Sequence, residues 1–183
     1  MRLFDLVSRH YQQTTPVFFY DPILTQLEDD GAYITRMAPP TNENKNGGIY
    51  LPDVTTDEYY SSCISNVRIL PGVQQKEQLL KQHRLLPVEE SINANLLSLY
   101  MILHEEGHWV HLNSDYILNG LTGEEYLKDS ALALEALGIK ELREKAKRNP
   151  NYYAELQETY RKSNFEKYAD DYSIKRLKEI KNL

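Results

Sequence analysis

Residues 96–103 are apolar at almost every position, with Leu96, Leu97, Leu99, Tyr100, Met101, Ile102 and Leu103, and they run directly into His104-Glu105-Glu106-Gly107-His108. A helix that is apolar nearly all the way round belongs at the centre of a fold. Two unpaired imidazoles there would be costly. On a helix, residues four apart lie about 40° apart around the axis and about 6 Å along it. His104 and His108 therefore project from one face, close enough to share a metal ion. Taken alone, the two histidines could also be ordinary helix residues, one of them hydrogen-bonded in a core; the apolar context favours the shared ion. Zinc is the expected metal, because two neutral imidazoles, a carboxylate and an open position suit it. Glu105, beside the first histidine, can then serve as the general base for a water on that metal.

A third protein ligand is needed for such a site. Residues 163–172 read as the start of another helix, with Glu166 and Asp170 on one face and the small Ala169 beside them. Ser163 with Glu166 also has the form of a capping box, in which the Glu closes its own helix start. On that reading Asp170 or Asp171 is the fallback ligand. His111 shares roughly the face of His104 but sits about 10 Å further along the axis, too far for all three histidines to meet one tetrahedral ion. A surface or second-sphere place is expected for it.

HExxH followed downstream by Glu-x-x-Ala-Asp resembles the gluzincin metallopeptidases. The resemblance implies a zincin-like fold and a single Zn2+ held by His104, His108 and Glu166. It also implies that Asp170 hydrogen-bonds the far nitrogen of a liganding histidine, and that Ala169 lets the two helices approach closely. In size and in its Glu-x-x-Ala-Asp segment the chain is also similar to the phage and mobile-element regulators that cleave repressors, although no helix-turn-helix partner domain is recognisable. The activity implied is hydrolysis of peptide bonds by metal-activated water with Glu105 as general base, and the implied partner is a peptide or protein substrate. Two other readings stay open: a regulatory or interaction protein with a structural or weakly active zinc site, and a metal-dependent hydrolase of a non-peptide amide. All five histidines lie at or before position 111, so no histidine follows Glu166 to stabilise an oxyanion. Tyr168 and Tyr172 are candidates for that role, with Tyr160, Arg161 and His83 behind them.

At 183 residues the chain is expected to form a single domain, sheet-rich over about 1–72 and helical over about 73–183. With 41% hydrophobic and 26% charged residues it reads as an ordinary globule. No apolar run is long enough for a transmembrane helix, and the N-terminus reads as an amphipathic helix with no signal-peptide pattern. The single cysteine, Cys63, excludes an intrachain disulfide and suggests a reducing, cytoplasmic setting. A net charge of −6 gives no general attraction to nucleic acid. The basic stretch 140–148 is interleaved with Glu141 and Glu144, the pattern of a solvated helix face.

Along the chain, Leu3, Phe4, Leu6, Val7 and Tyr11 predict a first helix ending before Pro16. Strands are predicted at 17–20, 32–37, 49–51 and 63–70, with turns at Asp21-Pro22 and Pro71-Gly72 and a polar, mobile loop over 39–48. The HExxH helix is expected over about 88–112. Thr122 with Glu125 is a capping box opening a helix that Gly138 stops, and Asn149-Pro150 starts a later one. The fold class is therefore α+β: a small N-terminal sheet packed on a central HExxH helix, then a helical C-terminal half. Either 49–51 or the strand through 64–70 would be the sheet edge that takes an extended peptide.

Overall fold

The structure is a computed structural model that describes residues 1–10, 15–21, 33–43 and 45–181. Tyr11, Pro22, Ala32 and Asn44, to which the sequence assigns a helix end, a turn, a strand start and a loop position, lie outside the described residues. The elements in order are α1 (Leu3–His10), β1 (Val17–Tyr20), β2 (Arg36–Ala38), β3 (Gly48–Pro52), α2 (Thr56–Ser65), α3 (Leu70–Gln82), α4 (Ala94–His111), α5 (Gly123–Ala136), α6 (Ile139–Arg148), α7 (Tyr153–Tyr160) and α8 (Asn164–Lys181). This is a mixed α+β architecture with one small sheet and mostly helices.

β3 is the middle strand of the sheet, parallel to β1 from Val17↔Ile49 to Tyr20↔Pro52 and antiparallel to β2 from Arg36↔Tyr50 to Ala38↔Gly48. Ile49 and Leu51 of β3 are fully buried and join Leu3 and Leu6 of α1, Leu80 of α3, and Leu97, Tyr100, Ile102 and Leu103 of α4 in the main core. The apolar run before the HExxH motif is thus the centre of the fold, as its composition requires. α4 starts at Ala94, later than expected, with the Asn93 side chain accepting from the Leu96 N–H as its cap. It continues past His111 as a wide π-type turn over Leu112–Tyr116.

The predicted strand at 63–70 is wrong. Cys63 is buried inside helix α2, and residues 70–82 form α3. The Pro71-Gly72 pair, read as a stop, opens α3: a proline in the first turn surrenders an N–H that has no helical partner there anyway. The start of α2 carried its own signal, since Thr55 and Glu58 form a complete capping box. The helical part therefore begins near residue 56, ahead of the expected boundary at 72. The loop after β2 is anchored, with the Asn42 N–H donating to Glu124 at 2.6 Å and Pro39 and Pro40 lying against Gly123.

α8 lies along α4, and the point of closest approach is Gly107 against Ala169. A Cβ at Gly107 would lie 2.7 Å from Ala169 Cα and 3.0 Å from its carbonyl oxygen, inside van der Waals contact with backbone. The glycine within HExxH thus sets the spacing between the helix that carries both histidines and the helix that carries Glu166. No helix among the described residues is long and apolar enough to cross a membrane.

Candidate metal centre

His104 and His108 lie one turn apart on α4, and Glu166 faces both from the first turn of α8. Nε2 of His104 is 3.3 Å from Glu166 Oε2, and Nε2 of His108 is 3.4 Å from Glu166 Oε1. The three donor atoms lie within 4.8 Å of one another, and His104 and Glu166 are buried. Among the described residues this is the one His/Cys/Asp/Glu group that could hold a metal ion.

The outer nitrogens decide how the rings are oriented. His104 Nδ1 is 2.9 Å from Asp170 Oδ1. An ionised carboxylate only accepts, so Nδ1 carries the proton and Nε2 of the neutral ring presents its lone pair to Glu166. His108 Nδ1 meets the Tyr126 hydroxyl at 3.3 Å, leaving its Nε2 likewise toward Glu166. The His104 lone pair directed at the carboxylate repels it unless a cation, either a proton or a metal, lies between, while His108 Nδ1 can either accept from or donate to the Tyr126 hydroxyl. Two nitrogens and one carboxylate oxygen, with the rings held from behind, are a donor set that suits zinc.

Asp170 is itself held by two further groups. The Tyr100 hydroxyl donates to its Oδ1 at 2.6 Å, and the Arg161 guanidinium pairs with the same oxygen while also donating to Tyr100 at 3.1 Å. Burial opposes the charge on Asp170, but His104, Arg161 and Tyr100 hold its carboxyl below the ordinary range. The Ser163–Glu166 pattern serves both of its sequence readings. Ser163 Oγ accepts from the Glu166 N–H at 3.2 Å and caps α8, while the Glu166 side chain is free to face the histidines. Asp171, the fallback ligand, is exposed on the far side of the helix.

Glu105 is buried and reaches the other side of the cleft, toward the sheet. It accepts from the Met37 N–H at 2.6 Å and from the Thr35 hydroxyl at 3.3 Å. Burial pushes its carboxyl above the ordinary range, against the pull of His104 and His108. β2 is therefore the edge strand beside α4. The expected edge at 49–51 is instead paired on both sides within the sheet, and 64–70 is not a strand. β2, α4, α7 and the Tyr126 face of α5 enclose a cleft of about 380 Å3 onto which His104, Glu105, His108 and Glu166 open. That lies within the range of small-ligand sites, about 300–1,000 Å3.

Tyr168 and Tyr172, the tyrosines named first from sequence, go elsewhere. Tyr168 stacks on His111 with ring centroids 4.5 Å apart, and Tyr172 lies against Gly107 of α4; neither lines the cleft. His111 is buried among Tyr116, Tyr126, Phe165 and Tyr168; of the two places expected for it, it does not take the surface one and instead packs on Tyr126 behind His108. His83 sits at the end of α3 near Lys178. Tyr160 does line the cleft, as does Glu166. Sequence reasoning missed Tyr126 and also Lys76, a buried lysine on the cleft wall. Lys76 follows Gly72 and Val73 and precedes Leu80 on the buried face of α3, a periodicity visible only once that segment is read as helix.

The metal-free site has a pH signature. Burial lowers the His104 pKa, but hydrogen bonds with Asp170 and Glu166 outweigh it and carry the pKa up to about 9. A pKa raised on folding stabilises fully below the unfolded value and is lost as pH rises toward the folded one. Chelator-treated protein is therefore expected to lose about 1 kcal/mol between about pH 6.5 and 8, after the small opposite contribution of Lys76, brought down to about 8 by its burial, at the top of that interval. Thermal melts across that interval check it, and a midpoint that rises with pH would contradict the assignment. Comparison of the chain with protein-family models, with curated proteins and with solved structures finds no match.

Proposed function

We propose that the protein is a zinc-dependent metallopeptidase of gluzincin type on a zincin-like fold, with His104, His108 and Glu166 as the metal ligands and Glu105 as the general base. The observation that carries this reading is the convergence of both Nε2 atoms on Glu166 in a cleft shared with a buried, otherwise unpaired-by-cation carboxylate, Glu105. Zinc bound there would supply Lewis acidity and bring the pKa of a water toward neutrality.

The chain's own residues have separable tasks. Asp170 and Tyr126 fix the ring orientation of His104 and His108 from behind. Glu105, with a carboxyl lifted by burial, takes a proton from the attacking water and delivers it to the departing amine. β2 is the sheet edge beside α4 and would align an extended peptide with the cleft through its free backbone groups, the Met37 N–H being held by Glu105.

The Glu105–Met37 hydrogen bond also favours a second reading. If the carboxylate only clamps β2 to α4, the protein is a metal-binding interaction scaffold without hydrolysis. Elemental analysis of protein purified without added metal or a histidine tag is expected to give about one zinc per chain. The same preparation should cleave members of a broad peptide library and stop when a chelator removes the metal. Failure to take up zinc sinks both readings, and zinc without cleavage leaves the scaffold.

A further inference from the structure

We propose that Lys76 is the electrophile of the cleft: its ammonium receives the carbonyl oxygen of the scissile amide and the oxyanion that forms from it. The inference rests on the hydrolytic reading above and adds the donor that the sequence lacks after Glu166.

Lys76 lies on α3 with only 9% of its surface exposed, on the wall of the cleft that holds His104, Glu105 and Glu166. No hydrogen bond or ion pair of its ammonium is seen among the described residues, and Nζ is not one of the fully enclosed unpaired atoms, so it keeps some access to solvent. Of the other buried donors on that wall, Arg161 is held by Asp170 and Tyr100, the Thr35 hydroxyl goes to Glu105, and Tyr160, beside the Glu166 charge, is a phenol and no cation. Lys76 is left as the buried cation with a free donor.

Its position is a poor one for stability. The chain folds the ammonium back over the first turn of α3, where a Cβ built on Gly72 would lie 3.7 Å from Nζ. A cation at a helix N-terminus opposes the helix dipole, and burying an ammonium without a hydrogen-bonded partner is costly. A methionine would fill the same space without either cost. A local choice that costs stability is what functional sites show.

The placement also fits the chemistry. Glu105 is held on the β2 side by Met37 and Thr35, whereas Lys76 lines the cleft from α3, its ammonium over the first turn near Gly72 and Gln157. A carbonyl lying across the cleft would have the base on one side and the ammonium on the other. Negative charge then grows on the oxygen nearest a preorganised, desolvated cation, where such a donor has the greatest effect.

Inorganic phosphate, a tetrahedral oxyanion, is the probe. Calorimetric titration of phosphate into the zinc-loaded full chain and into zinc-loaded Lys76→Met is expected to show binding at least about 10-fold weaker in the variant. The zinc content should be unchanged and the melting temperature equal or higher. Lys76→Arg, which keeps the charge, should recover part of the affinity. Equal phosphate affinity in wild type and Lys76→Met overturns the proposal, as does a wild-type protein that binds no phosphate. A Lys76→Met chain that melts lower or fails to fold also overturns it, because Lys76 would then be a structural counter-charge for Asp170 and Glu166. The peptide assay separates the two ideas: Lys76-dependent phosphate binding without peptide cleavage fells the peptidase reading alone, and cleavage with Lys76-independent binding fells this one alone.

Discussion

Glu105→Gln is expected to keep zinc at about one per chain while peptide hydrolysis falls by at least about 100-fold, the lower end of what a positioned general base contributes. The substitution is chosen to leave the surroundings alone. Glu105 is not among the converging donors, so the metal should stay. Its contact with β2 is a carboxylate oxygen accepting from the Met37 N–H, and an amide oxygen accepts equally well. The buried carboxyl is already pushed toward its neutral form, so a neutral isostere should not weaken the fold. Glu105→Ala is the less discriminating variant, because it strips the Met37 N–H of its partner and could shift the edge strand on which peptide docking depends. Full activity in Glu105→Gln would show that the carboxylate only ties the sheet to α4. Loss of zinc from it would show that the donor set has been misassigned.

The parts of this architecture that were legible in the sequence are those whose signal is local and redundant. The central place of α4 follows from an apolar stretch that no exposed helix could carry, and β1 and β3 follow from short β-branched and aromatic runs. The Thr122–Glu125 capping box marks a helix start that the structure reproduces. Residues 56–72 were not legible because their apolar residues are too few and irregular to show a helical period, while Pro71-Gly72 resembles a turn; only the later part of α3 was read as helix. Only the Thr55–Glu58 box revealed α2. In the site, the histidine spacing and the Glu166–Asp170 face could be read, since both are periods of a single helix. Tyr126, Lys76 and the contact of Glu105 with Met37 could not, because each joins elements that only the tertiary fold brings together. Ser163 and Glu166 show why a motif can support two readings at once: the hydroxyl caps through the backbone while the carboxylate is spent elsewhere.

Glu166 and Asp170 sit one turn apart on α8, and their isosteric variants should fail in opposite ways. Glu166→Gln removes the charge that both Nε2 atoms face, and a neutral amide is a poor zinc ligand. Zinc affinity should therefore drop by more than the roughly 10- to 100-fold that losing a second-sphere partner costs. The fold should survive, because the cap of α8 uses the Glu166 backbone N–H and not its side chain. Asp170→Asn still offers an oxygen to His104 Nδ1, so its zinc loss should stay within that 10- to 100-fold range. Its larger effect is on stability. The Asp170 carboxylate is the partner of Arg161, whose side chain is only 13% exposed, and removing one member of a buried pair costs about 3–5 kcal/mol. Competition against a chelator of known affinity, together with melts of the metal-free proteins, reads both effects in one set of samples. Glu166→Gln with unchanged zinc affinity would return Glu166 to the role of a helix-start residue. Asp170→Asn with the greater zinc loss and an intact fold would exchange the two assignments and make Asp170 the ligand.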